Sequence, residues 1–129
     1  MPGPPPELRR GSGLNNRLSG AWGEELALRY LRRRGYTLVE RNYRTRYGEL
    51  DLILRHQNTL VFVEVKTRRG VGFGDPLEAV TARKQATIRA LAERYLSERG
   101  PDLDEVRFDV VGILAGEGGP TVTHIENAF

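Results

Sequence analysis

The chain has no cysteine. Disulfides, thiol nucleophiles and thiolate metal sites are therefore excluded, and the composition is compatible with a reducing compartment. There are only two histidines, His56 and His124, and neither falls in a recognisable ligand spacing. Lysine is as scarce: Lys66 and Lys84 are the only two, so eighteen of the 20 basic side chains are arginine. No apolar run approaches the roughly 20 residues needed to cross a bilayer. The opening segment, "MPGPPPELRRGSG", lacks the apolar stretch of a secretory signal. A cytoplasmic protein without membrane association is expected. There are no internal repeats. No P-loop or other phosphate-cradling motif is present, which counts against a nucleotide hydrolase.

What remains is an ordinary globular composition. The 129 residues suit one domain, with 39% hydrophobic and 29% charged residues. The net charge of +3 is unevenly spread. Residues 1–46 carry ten arginines against four glutamates, whereas residues 47–129 carry ten basic and thirteen acidic side chains. Arginine presents a planar fork suited to phosphate, so the basic half points to a polyanionic partner.

Residues 1–17, rich in Pro, Gly and Arg without periodicity, read as a disordered tail, and residues 18–129 as the folded domain. A helix is expected from Leu18, with Ser19 as its cap and Arg32-Arg33-Arg34-Gly35 as its end. "YTLVERNYRTRYG" reads as a first strand. Residues 49–55 and 59–67 read as a hairpin turning at His56-Gln57-Asn58. "RRGVGFGDP" is a Gly-rich loop. Thr81 caps a second helix over 82–98, which Gly100-Pro101 ends. "VRFDVVGIL" and "TVTHIE" give two final strands. The order αβββαββ predicts an α/β fold, with a mixed sheet and helices packed on it.

Period-two alternation sorts the hairpin. In "VFVEVK", Val61, Val63 and Val65 share one face and Phe62, Glu64 and Lys66 the other. In "ELDLIL", Leu50, Leu52 and Leu54 share one face and Glu49, Asp51 and Ile53 the other. The pair can therefore gather Asp51, Glu64 and Lys66. Neighbouring carboxylates repel, and an unpaired buried charge costs several kcal/mol. A divalent cation such as Mg²⁺ or Mn²⁺ resolves the conflict, because hard oxygen ligands suit it. Lys66 then serves as a point charge beside an anionic substrate. A cross-strand ion pair on a solvated face also fits an E-x-K pattern. Glu24 precedes Ala27, Leu28 and Leu31 by three, four and seven residues, so it lies on the helix stripe that faces the sheet. Glu25 projects away and is expected to be solvated.

Gly20–Glu24 ("GxxxE"), "GELDLI" at 48–53, "FVEVKTR" at 62–68, "FGDP" at 73–76, "RFDVV" at 107–111 and "NAF" at 127–129 occur in order. This set resembles the YraN family of predicted endonucleases, in the restriction-endonuclease-like superfamily. The resemblance implies a mixed sheet of four to five strands flanked by helices, similar to archaeal Holliday-junction resolvases, with DNA as substrate and Mg²⁺ as cofactor. By motif match it makes Asp51 and Glu64 metal ligands, Lys66 the catalytic lysine and Glu24 the helix carboxylate. It gives Glu49 and Asp109 no role.

Together these features predict a metal-dependent DNA endonuclease, acting on branched or otherwise non-B-form DNA. Asp51, Glu64 and the Val65 carbonyl would hold the metal, Lys66 would orient water, and Glu24 would hold a second metal or water. Arg41, Arg44, Arg46, Arg68 and Arg69 flank the site as candidate phosphate contacts, and Phe73 as a candidate stacking or wedge residue. Cutting two strands favours a homodimer. The alternative is a non-catalytic DNA-binding adaptor with a nuclease fold.

Overall fold

The structure, a computed structural model, describes residues 13–69, 75–100 and 105–129, with side chains from residue 20 onward. Phe73 and residues 1–12 of the expected tail lie outside the described residues. Helix α1 spans Gly13–Arg33, followed by β1 (Thr37–Thr45), β2 (Gly48–His56) and β3 (Thr59–Arg69). A 3₁₀ turn at Pro76–Ala79 leads into α2 (Ala82–Arg99), then β4 (Glu105–Gly116) and β5 (Gly119–Ile125). The expected αβββαββ order is observed. One expectation fails at a boundary: α1 begins six residues before Ser19, so Ser19 lies inside the helix and is not its cap. "GLNNRL" has no apolar periodicity, so the sequence pattern starts later than the helix does.

The five strands form one mixed sheet in the order β1-β2-β3-β4-β5. All neighbours are antiparallel except β3 and β4. A parallel pair requires a crossover, and the 3₁₀ turn and α2 provide it. Thr81 caps α2 as expected, its side chain accepting from the Lys84 N–H at 3.2 Å. That cap fixes Lys84 in the helix's first turn.

Alternation divides the core. Val61 and Val63 of β3, with Val111 and Ile113 of β4, pack under Leu26, Ala27, Leu28 and Leu31 of α1. Leu60 and Phe62, with Val110, pack under Ile88, Leu91, Ala92 and Tyr95 of α2. Fully burying such a side chain contributes about 1.5–3 kcal/mol, so both helices are held by these stripes. β2 departs from the expected pattern. Leu52 and Leu54 join the α1 side, but Leu50 joins the α2 side with Ile53 and Tyr43. Alternation therefore breaks around Asp51. The β2–β3 ladder runs from Leu52↔Val63 to His56↔Thr59, whereas β1 pairs with β2 as far as Thr45↔Gly48 and β3 pairs with β4 as far as Arg69↔Ala115. A wedge thus opens between β2 and β3 on the Asp51 side of the ladder.

On β4, opposite Val63 in the parallel register, Asp109 is fully buried. Arg107 grips it with two bonds, Nε to Oδ1 at 2.9 Å and a terminal nitrogen to Oδ2 at 2.8 Å. His124 Nε2 lies 2.7 Å from Oδ2, and the Asn127 N–H donates to Oδ1 at 2.9 Å. The Ala128 N–H reaches the Phe108 carbonyl, and Phe129 stacks on Phe108. The "RFDVV" and "NAF" segments are thereby clasped together. His124, which had no readable role, is part of the clasp. Among the described residues no helix is long and apolar enough to cross a membrane.

Candidate functional site

The wedge is where the polar side chains meet. With the ladder open, the Val65 N–H has left the β2 backbone, and it donates to Asp51 Oδ2 at 2.9 Å. Val65 enters the site through this N–H. Glu64 is buried beside Asp51, within hydrogen-bonding reach. Burial, and next the Glu64 charge, push the Asp51 carboxyl up to about 8, although the Val65 hydrogen bond pulls the other way.

α1 delivers Glu24. It can do so because Gly23 lies directly on β3: a Cβ at Gly23 would stand 1.9 Å from Thr67 Oγ1. The close approach brings the next residue to the sheet. Burial raises the Glu24 carboxyl, and the Glu49 and Glu64 charges add to this, against a hydrogen bond from Asn42. Asn42 sits in β1 with a left-handed backbone, φ 54°, which asparagine tolerates better than most residues. Its amide donates one hydrogen to Glu24 Oε1 and the other to Glu49 Oε1, both at 3.0 Å. Asn42 is thus a bracket between two carboxylates on different elements.

Ligand oxygens of Glu24, Glu49 and Asp51 lie within 4.8 Å of one another, all half-buried. The cluster can hold a metal ion, because three hard oxygen donors converge there. Glu49, which had no readable role, belongs to this tight group. Glu64, expected among the ligands, is flanked by two ammonium groups, Lys66 Nζ at 3.5 Å and Lys84 Nζ at 3.6 Å from Oε2. Lys84 was not legible as a site residue, since α2 brings it from twenty residues downstream of Glu64. Asn42 was missed because it reads only as an interruption in a strand.

The flanking arginines divide. Arg41 contacts Glu25 at 3.4 Å on the surface, so the glutamate expected to be solvated has a partner there. Arg44 Nε donates to Glu49 Oε2 at 2.6 Å, tying the rim to the carboxylate cluster. Arg46 packs on the Tyr47 ring in the β1–β2 turn. Arg68 and Arg69 are exposed at the end of β3. Beside Lys66 and Arg68 a cleft of about 350 Å³ opens over Gly112, Ile113 and Thr123, with Asp75, Pro76 and Glu78 also lining it.

The family model described as "Uncharacterised protein family UPF0102" matches residues 23–113, a span that holds the whole carboxylate cluster. The UPF0102 protein of Syntrophomonas wolfei is 52% identical over 114 residues, covering 88% of this chain and 99% of its own. That of Rhodococcus jostii is 53% identical over 116 residues, covering 89% and 98%. That of Alkaliphilus oremlandii is 48% identical, covering 88% and 99%. With a family match over most of its length and relatives alike from end to end, the chain belongs to the UPF0102 family, the YraN-like proteins.

Proposed function

We propose that the protein is a DNA endonuclease dependent on Mg²⁺ or Mn²⁺, hydrolysing phosphodiester bonds in branched or otherwise non-B-form DNA. One observation carries this reading. Four carboxylates and two lysines converge where the sheet splays open, with Asp51 pushed far from its ordinary range. A purely structural ion pair needs neither the extra carboxylates nor the wedge. The likeness of the motif order to the restriction-endonuclease-like superfamily, and the five-stranded mixed sheet, support the same conclusion by analogy.

A bound metal would neutralise the scissile phosphate and lower the pKa of water. Glu24, Glu49 and Asp51 would hold it, with Asn42 fixing the two outer carboxylates. Glu64 positions Lys66 and Lys84 through its carboxylate. Lys66 is partly exposed and lines the cleft with Arg68, Asp75 and Glu78, and its ammonium would orient water and stabilise charge developing on a phosphate. In-line attack would leave a 5′-phosphate and a 3′-hydroxyl. Two strands cut together take two such sites, which a homodimer supplies.

The test is a cleavage panel with Mn²⁺ over duplex, single-stranded, flap and four-way-junction DNA. Cutting of branched substrates, lost in Asp51→Asn and Lys66→Ala, is expected. DNA binding without any cleavage by the wild type would leave the adaptor role instead.

A further inference from the structure

Tyr47 is the most exposed of the large apolar side chains among the described residues, at 61%. It sits in the turn between β1 and β2 and stands between two clefts. The first, of about 360 Å³, is lined by Arg44, Arg46, Arg94 and Arg99, with Glu98 as its one acidic lining residue. The second, of about 470 Å³, lies between the turn and α2, where Tyr47 faces Thr87, Ala90 and Leu91. Arg94 borders both. One cleft is therefore lined largely by arginines. Of these, Arg44, Arg94 and Arg99 also pair with Glu49, Glu98 and Glu40, while Arg46 pairs with no carboxylate among the described residues. The other cleft is mostly apolar, and an exposed aromatic ring is shared between them. Arg46 already lies against that ring, with its guanidinium carbon 4.9 Å from the centroid. The arginine-lined cleft is tied to the carboxylate cluster by one residue, since Arg44 of its wall bonds Glu49 of the cluster.

An anionic group and a flat apolar group, one residue's breadth apart, make up a nucleotide. We propose that these clefts form a subsite for one nucleotide of an unpaired DNA strand: the phosphate sits among Arg46, Arg94 and Arg99, and the base stacks on Tyr47 above Ala90 and Leu91. The inference rests on the nuclease reading and extends it. A base inside a duplex has no free face to offer Tyr47, so the subsite selects substrates with a single-stranded segment leading from the cleavage site. Glu98 does not spoil the cleft, because the Tyr43 hydroxyl and Arg94 both donate to it.

The experiment is fluorescence anisotropy in EDTA, where no cutting occurs. It uses the full chain with a labelled single-stranded 12-mer and its duplex. Tyr47→Ala is expected to weaken single-strand binding about tenfold and duplex binding little, since stacking on an aromatic side chain is worth that order per base. Tyr47→Phe keeps the ring and should keep the affinity. Arg94→Gln should weaken both forms and reduce the salt slope by about one phosphate's contribution. Both positions are exposed, and an unchanged thermal melt certifies the fold. Unchanged single-strand affinity in Tyr47→Ala overturns the subsite, as does an equal loss on duplex. A wild type that binds neither form overturns the subsite and the nuclease reading together. A wild type that cuts nothing, while Tyr47→Ala still loses single-strand binding, sinks the nuclease alone and upholds the subsite.

Discussion

Asp51 and Asp109 are both buried carboxylates, and their surroundings drive them in opposite directions. Asp109 pays a desolvation penalty that would raise it, but His124, Arg107 and the Asn127 N–H outweigh this and hold it below the usual range. Asp51 rises to about 8 because burial, and next the Glu64 charge, outweigh its single N–H donor from Val65. The consequences for stability have opposite signs. The Asp51 contribution is fully present below its unfolded value and is lost as pH rises through about 8. The Asp109 contribution is present above the ordinary carboxylate range and is lost as pH falls through its depressed folded value. A cation must displace the proton from Asp51. The rise in melting temperature caused by Mg²⁺ should therefore grow between pH 6 and pH 8.5, as differential scanning fluorimetry can follow. Asp51→Asn should abolish that rise while leaving the metal-free protein as stable or more so at pH 8.5, since the amide keeps an acceptor for the Val65 N–H. A cation effect equal at both pH values would argue against Asp51 as a ligand. Asp109→Ala should cost about 3–5 kcal/mol by urea denaturation, because it strands Arg107 and releases the C-terminal clasp. It should leave the cation effect in place.

At the level of elements, the backbone where β2 begins helps set where the chemistry falls. Gly48 opens β2 with φ 149°, a region closed to most side chains, and a Cβ there would meet Leu91 Cδ1 at 3.3 Å. Gly48→Ala should lower the urea midpoint by the equivalent of about 1–3 kcal/mol, with an unchanged m-value. A substitution without effect would mean that the turn relaxes freely. The strands and helices were legible because period two and period 3.6 are local, and Asp51, Glu64 and Lys66 were legible for the same reason. Local pattern could not reach further. Lys84 arrives through the crossover helix, Asn42 acts through a left-handed backbone that no neighbour announces, and His124 meets Asp109 only after β4 and β5 pair. The broken alternation at Leu50 is likewise invisible to a pattern that assumes an uninterrupted strand. Asn42→Ala gives a test of the bracket: a weaker response to Mg²⁺ at nearly unchanged metal-free stability.

For the whole molecule, the charge asymmetry and the site agree. The carboxylates lie in the wedge; Arg44 of β1 bonds Glu49 there, Arg46 packs on Tyr47 in the β1–β2 turn, and Arg68 and Arg69 are exposed at the end of β3. Under the proposed function, a bound cation would let an anion approach the carboxylates instead of being repelled by them. Binding of a junction substrate should weaken steeply with salt, each neutralised phosphate adding about −0.9 to the log–log slope on duplex arms. Affinity indifferent to salt would exclude a phosphate-dominated interface. The most direct measurement is Mn²⁺-dependent cutting of a four-way junction by the wild type and by Lys66→Ala, with melting curves of both. Lys66 pairs with Glu64 and is not one of the three clustered carboxylates, and Lys84 remains beside Glu64 when Lys66 is removed. The expected result is cleavage by the wild type, its loss in Lys66→Ala, and similar melting and metal response in the two proteins. A wild type that cuts no substrate, together with a Lys66→Ala protein that melts far earlier even with metal present, would show a structural ion-pair network in place of a nuclease centre.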